Sequence, residues 1–299
     1  MTQALDQRIR DRLAAPVDPA VGDFAARLGA ENGALAVLFY GSNLRTGSLE
    51  GVLDYYVLLP GLQQEKIWPR VSYHEWDHQG VTLRAKVATM ALETFAAAAR
   101  GEKRDTTIWA RFVQPSALVW QRDDAAGGAV IGALGDAACT AARLAVALGP
   151  QIGHAEDYWR ALFRATYAAE FRVEKAGRED SILSVNAAHF DGLLPLAMEA
   201  AGIGFARDGQ QLTPRMDAGE RKRILRWWAS RRRMGKPLNI MRLLKASTTF
   251  EGAGRYAAWK IERHTGVPVM LTPWRERHPV LAAPGVLWSV WREKRRRGE

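Results

Sequence analysis

The run ALAVLFYGSNLRTGSLEGVLDYYVLLP, from Ala34 to Pro60, constrains this chain more than any other stretch. An apolar strand, Leu35 to Tyr40, runs straight into a Gly-Ser turn at Gly41 and Ser42. About a dozen residues later Asp54 heads a second apolar strand, Tyr55 to Leu59. Glycine has no Cβ, so backbone at Gly41 can approach a triphosphate closely. Ser42 and its neighbouring amides can donate hydrogen bonds to phosphate oxygens. Asp54 offers hard oxygen ligands of the kind that hold Mg²⁺ against a triphosphate. These pieces suit a site that holds phosphate oxygens together with a divalent cation.

Composition bounds the answer. The chain has 299 residues, 47% of them hydrophobic, enough for one large domain or two modest ones with a real core. One cysteine, Cys139, excludes an intramolecular disulfide and any multi-cysteine metal site. The start, MTQALDQRIRDRL, alternates charges and lacks an apolar signal core, and no stretch approaches the roughly eighteen uninterrupted apolar residues of a spanning helix. The expectation is a cytoplasmic protein that is not integral to a membrane.

Charge is uneven. Residues 1–220 carry 22 Lys or Arg against 27 Asp or Glu, a net of −5. Residues 221–299 carry 20 against 5, a net of +15. The last quarter therefore faces an anionic partner, either nucleic acid or an anionic membrane.

Residues 1–30 read as amphipathic helix leading into the first strand. Val71–Trp76 and Gly80–Thr89 read as a strand pair joined by the turn Asp77-His78-Gln79-Gly80. Met90–Arg100 reads as helix, and Ala110–Gln121 as strand-like residues interrupted by Pro115. Asp136–Ala201 has mostly helical periodicity, 206–220 reads as a loop with Gly209, Pro214 and Gly219, and helix resumes from Arg221. A mixed sheet followed by helices predicts an α+β fold. The expected units are a nucleotidyltransferase domain over 1–130, a helical domain over 131–266 and a basic tail over 267–299.

Strand, Gly-Ser, spacer and Asp-led strand resembles the site of nucleotidyltransferases of the DNA polymerase β type. That superfamily generally carries two acids one residue apart, and Val52 stands where the first would fall. Further stretches resemble one branch, the mitochondrial translocator-assembly-and-maintenance type of phosphatidate cytidylyltransferase. They are Tyr40-Gly41-Ser42, the lone Asp54-Tyr55, VSYHEWDHQGVTLRAKVATMALETF, WARFVQPSALVW, YAAEFRVEKAGREDSILSVNAAHFDGLLPLAM and ASTTFEGAGRYAAWKIERHTG. The likeness spans roughly residues 34–266, and the order of pieces carries it. Asn43, where the family usually has a third small residue, and Glu170, where it tends to have Asp, depart from the pattern. The resemblance implies Mg²⁺-dependent conversion of CTP and phosphatidate to CDP-diacylglycerol and pyrophosphate, a step in phospholipid biosynthesis. It also implies a second metal or base residue at Glu170, with Arg172 beside it.

Arg84 and Lys86, two apart on one strand, share a face and are natural triphosphate ligands. His74, His78 and His154 do not form a metal-ligand set, and Glu75 beside His74 reads as a strand-end acid. Trp227-Trp228 followed by Arg231, Arg232 and Arg233 suits either stacked nucleobases or a packed or membrane-facing pair. In the tail, Pro284 reads as a first helical residue. Leu287, Trp288 and Trp291 share a face, and five basic residues, Arg292, Lys294, Arg295, Arg296 and Arg297, follow. Bulky aromatics flanked by cations are what an interfacial helix needs, so Trp288, Trp291, Arg292, Arg295 and Arg296 are the expected contacts to the inner face of an anionic membrane. The alternatives are a nucleotidyltransferase acting on a sugar, antibiotic or RNA end, and an inactive module that binds nucleic acid.

Overall fold

The computed structural model describes residues 2–169, 178–249, 252–277 and 279–297. The fold is α+β, built on a mixed five-stranded sheet. Two helices open the chain, α1 (Gln3–Leu13) and α2 (Pro19–Asn32). Local chemistry sets the limits of α2: Asp18 caps its start by accepting from the Ala20 amide at 2.9 Å, Pro19 fills the first position, and Gly33 ends it in the left-handed region at φ 58°.

The sheet follows, with β1 (Ala36–Tyr40), a short helix α3 (Ser42–Thr46), β2 (Leu53–Leu59), β3 (Arg70–His78) and β4 (Val81–Ala91). Helices α4 (Leu92–Ala99) and α5 (Thr107–Phe112) precede β5 (Ser116–Gln121). The spatial order is β3-β4-β2-β1-β5, with β2 and β4 parallel and the other neighbours antiparallel. Alternation along each strand feeds two cores. Val37, Phe39, Tyr55, Val57, Ala85 and Val87 pack with Phe24 and Leu28 of α2, whereas Leu38, Tyr56, Leu58, Ala88 and Met90 belong to a larger cluster with the helices on the opposite face.

That larger cluster is organised by α6 (Asp124–Leu148), started by Asp123 accepting from the Ala126 amide at 2.8 Å. By length and composition α6 could cross a membrane, yet most of it is buried against α1, α4, α5 and the later helices. The expected domain boundary at residue 130 falls inside α6, and one hydrophobic cluster includes strand residues Leu38 and Tyr56 together with Trp159, Phe163 and Trp228. The chain continues through β6 (Gly153–His154), α7 (Ala155–Ala169), α8 (Arg178–Val185), α9 (Ala187–Phe190), α10 (Leu193–Ala200), β7 (Gly204–Asp208) and β8 (Gln211–Arg215). It ends with α11 (Ala218–Thr249), α12 (Ala253–Thr265), α13 (Pro273–Arg277) and α14 (Pro279–Arg297).

Three sequence expectations change. Residues 107–112, read in part as strand, form α5 because Asp105 accepts from the Thr107 amide at 2.8 Å and Ile108, Trp109 and Phe112 bury together. The expected loop 206–220 begins as the β7–β8 hairpin, turned at Gly209 with φ 57°. Pro214 is tolerated there because β6 reaches only Leu212 and Gln211, leaving the strand one free side for a residue without an N–H. The tail helix starts at Pro279, so Pro284 lies inside it and removes one helical bond, while Ala282 and Val286 on either side stay buried.

Candidate active site

The candidate site is one row of the sheet. Register places Tyr40 opposite Asp54, Asp54 opposite Lys86, and Lys86 opposite Tyr73, so neighbouring side chains emerge on one face. At the end of β1, Gly41 has φ 94° and ψ −160°, a backbone conformation open to glycine. A Cβ on Gly41 would lie 3.1 Å from Asp54 Oδ2, so glycine is also what lets the turn approach the carboxylate. Asn43, the departure noted in the sequence, is buried, and its Nδ2 donates to the carbonyls of Ser48 and Glu50, both at 2.8 Å. It thereby fixes the loop that returns the chain to β2. Ser42 stays exposed, its Oγ 3.3 Å from Asn43 Oδ1.

Tyr40, Gly41, Ser42, Arg45, Asp54, Thr107, Arg111, Gln114 and Tyr167 line a cleft of about 280 Å³. Among the described residues, no donor is within hydrogen-bonding or ion-pairing distance of the Asp54 carboxylate. Burial raises its pKa above the usual carboxylate value, and the charges of Lys86 and Arg111 only partly offset this. Loss of water lowers the Lys86 ammonium; Asp54 pulls it back up, while Arg111 and Lys260 push it further down. Burial drives the Tyr40 hydroxyl far above its ordinary value, so it serves here as a neutral donor or acceptor. Arg111 donates to that hydroxyl at 3.3 Å and lies over the ring at 5.2 Å.

The donor set fits a small hard cation. Mg²⁺ is commonly held by one or two carboxylates together with substrate phosphates, and Asp54 presents an unpartnered carboxylate to a cleft with cations on its walls. Among the described residues there is no cluster of three His, Cys, Asp or Glu. Among the described residues Asp54 would hold the ion from the protein side, with phosphate oxygens adding to its shell.

Gly41, Ser42, Asp54 and Lys86 converge as the sequence suggested. Arg84 shares the face of Lys86 but does not line the cleft. It lies 3.4 Å from Glu75, donates to the Thr82 carbonyl at 3.3 Å, and sits over Trp259 of α12 at 5.6 Å. Glu75 also accepts from the Tyr73 hydroxyl at 2.9 Å, so this pair braces the β3–β4 edge. His74 Nε2 is 2.8 Å from Ser72 Oγ. Glu170 and Arg172 lie outside the described residues; the last turn of α7 before them supplies Thr166 and Tyr167 to the cleft wall. The sequence reading missed Arg111, Arg45 and Tyr167. For Arg111 the available signal was a lone cation inside the apolar segment WARFV.

The tryptophan pairs part ways. Trp228 is 4% exposed, its ring 6.2 Å from that of Trp109. Trp227 donates to the Gly101 carbonyl at 3.1 Å beneath the Arg231 guanidinium. Of the alternatives the sequence left open for this pair, the structure shows the packed one, with Trp228 buried and Trp227 half-buried. In α14, Ala282, Val286 and Val290 pack with Val267. The opposite face leaves Leu281, Leu287, Trp288 and Trp291 exposed, with Arg292 over Trp288 at 5.0 Å and Arg295 over Trp291 at 4.2 Å. Arg296 is exposed beside them, 4.0 Å from Glu293.

No protein-family model matches this sequence, and no curated protein is significantly similar to it.

Proposed function

We propose that this protein is a Mg²⁺-dependent nucleotidyltransferase of the polymerase-β type that transfers a cytidylyl group from CTP to phosphatidate or a related lipid phosphate, releasing pyrophosphate. The observation that carries the reading is the unpartnered Asp54 carboxylate set against Gly41, in a cleft where the other charged groups among the described residues are cations. A strand ending in Gly-Ser, a short helix and an antiparallel strand bearing the acid is the arrangement that chemistry uses. The choice of CTP and of a lipid acceptor rests on the resemblance in the sequence.

Each residue has a task. Gly41 gives the triphosphate room, and Ser42 donates a hydrogen bond to it. Lys86, Arg111 and Arg45 spread positive charge where negative charge accumulates as pyrophosphate departs. Mg²⁺ supplies charge neutralisation on the phosphate oxygens when bound. The outer face of α14 holds the enzyme at a membrane, peripherally: its tryptophans enter the interface and each basic residue adds on the order of 1 kcal/mol at an anionic leaflet. The alternative of an inactive module that binds nucleic acid rests on the basic C-terminal quarter, and the packed Trp227 and Trp228 offer it no stacking platform.

The test is pyrophosphate release by purified protein with Mg²⁺, each of four nucleoside triphosphates and a panel of lipid phosphates, sugars and RNA ends. CTP with a lipid phosphate should give the signal, and Asp54→Ala should abolish it while circular dichroism stays unchanged. Turnover near wild type in that variant would end the assignment.

A further inference from the structure

The basic last quarter of the chain reaches the row of the sheet that carries Asp54, and it does so through α12. Gly252, just before this helix, lies so close to the sheet edge that a Cβ there would be 2.6 Å from the Tyr73 carbonyl oxygen. One turn on, the Tyr256 ring packs against that of Tyr73 at 5.4 Å. Tyr73 stands opposite Lys86, and Lys86 opposite Asp54, so the row continues to α12. Residues three and four apart share a helix face, which puts Trp259, Lys260 and Arg263 on the stripe that Tyr256 begins. The far end of the stripe is fixed as well. A Cβ on Gly51, whose φ is 90°, would lie 3.0 Å from Arg263 Nη1. The carbonyl of Glu50, next to Gly51, accepts from Asn43 Nδ2 at 2.8 Å, and Asn43 Oδ1 is 3.3 Å from Ser42 Oγ. Arg263 therefore borders the loop that carries the chain from the Gly-Ser turn back to Asp54.

Both cations on this stripe are held in place without being neutralised. The Arg263 guanidinium lies over the Trp259 ring at 5.3 Å, and Arg84 lies over the same ring at 5.6 Å. Lys260 Nζ is 5.8 Å from the centre of the Tyr256 ring, and its charge bears on Lys86. Ring contacts of this kind orient a cation while its N–H groups stay free to bond. Among the described residues no carboxylate is within ion-pairing distance of Lys260 or Arg263. By contrast, Arg84 has Glu75 at 3.4 Å, and Arg255 of the same helix has Glu276 at 3.1 Å. A fold that gathers Lys86, Lys260 and Arg263 around one end of a sheet row holds like charge that a polyanion would relieve.

We propose, resting on the nucleotidyl-transfer reading, that Lys260 and Arg263 bind the β- and γ-phosphates of the nucleotide. The Gly41-Ser42 turn and Arg263 border one loop, which makes phosphates on that turn the anion within reach of the helix. Arginine offers several N–H groups to phosphate oxygens and lysine adds a point charge, a combination suited to a terminal chain of phosphates. These two phosphates separate a nucleoside triphosphate from its monophosphate. Lys260 and Arg263 thus select for the triphosphate state and leave the choice of base to other groups. The basic quarter is divided in this reading: α12 serves the nucleotide, and the outer face of α14 serves the membrane.

Isothermal titration on the full chain tests this assignment. The probes are CTP, CMP and inorganic pyrophosphate, each with Mg²⁺, and dihexanoyl phosphatidate. Lys260→Gln combined with Arg263→Gln should weaken CTP and pyrophosphate about tenfold or more and leave CMP and dihexanoyl phosphatidate within about twofold. Both side chains are exposed, so the variant should fold, with an unchanged circular dichroism spectrum as the check. Arg255→Gln removes a cation of the same helix that is turned to Glu276, and it should change none of the four affinities. An equal loss of CTP in Arg255→Gln would mean a diffuse field of the helix and overturn the proposal. A loss confined to dihexanoyl phosphatidate would give the two residues to the acceptor, and unchanged binding of all four probes would place α12 outside the site; either result overturns it as well. Wild type that binds neither CTP nor any other nucleoside triphosphate would strike the nucleotidyl-transfer reading itself. Wild type and double variant that bind CTP equally well would strike this inference alone.

Discussion

Two tryptophan pairs, Trp227-Trp228 and Trp288 with Trp291, look alike in the sequence: each is followed within a turn or two by arginines in the basic last quarter of the chain. In the fold they are opposites. Trp228 is 4% exposed, and Trp227 is locked by its hydrogen bond to Gly101 and by Arg231 above it. Trp288 and Trp291 are 57% and 51% exposed, with arginines folded over their rings. The first pair spends its apolar surface on the core. The second leaves it available, and a tryptophan–arginine pair held outward suits a membrane interface better than it suits water. The difference teaches that an aromatic–arginine cluster is not one kind of site, and that the neighbour across the ring decides which it is.

The largest effect should come from the inner pair. Trp228→Ala should cost about 3–5 kcal/mol by chemical denaturation, because it empties a cavity beside Trp109 and α6. A loss under about 1 kcal/mol would mean that this ring is not a core element and would erase the contrast.

Next is a half-buried polar group that its neighbours do satisfy. His189 Nε2 donates to the Val113 carbonyl at 2.9 Å, and burial lowers its pKa from 6.5 to about 4. The neutral imidazole is the folded form, and the unfolded chain takes up a proton first as pH falls. Stability is therefore fully present above about pH 6.5 and is lost as pH drops toward about 4, by up to about 3 kcal/mol. Thermal melts of wild type and His189→Gln across that window should converge at the acid end.

Asp54 shows the opposite sign. Its folded pKa is raised by burial, so the ionised carboxylate costs the fold stability at any pH above the carboxylate range. Asp54→Asn should melt slightly higher than wild type at pH 7, with the gain fading as pH falls through that range, while turnover disappears. A lower melting temperature at pH 7 would mean that Lys86 and Arg111 need the charge for folding.

The smallest stability effect belongs to the outer pair. Trp288→Ala with Trp291→Ala should change stability by less than about 0.5 kcal/mol. The same variant should lose sedimentation with vesicles containing anionic lipid, and wild type should be released by high salt. Deleting residues 284–299 is a poorer test, because it also strips Val286 and Val290 from Val267. A large drop in stability for the double substitution would place these rings in packing and end the contrast with Trp228.

The sequence alone determined the local pieces. Alternation and apolar runs marked β1 to β4, and Gly41, Ser42, Asp54 and Lys86 were readable because a turn next to a strand end and a strand face have few chemical solutions. The charge asymmetry was legible for the same reason, since it is a count. Where a short apolar run carried no period, as in 107–112, or a Pro and two Gly suggested a loop, as in 206–220, the local signal was ambiguous, and burial or strand pairing decided. Only the tertiary structure brought Arg111, from more than fifty residues away in the chain, to the wall beside Asp54. Only it sent Arg84 to Glu75 and Trp259 while Lys86, two residues on, stayed opposite Asp54 in the sheet. Which cation faces the acid, and which tryptophan faces solvent, depends on what the rest of the fold puts across from it, and that neighbour is distant in sequence.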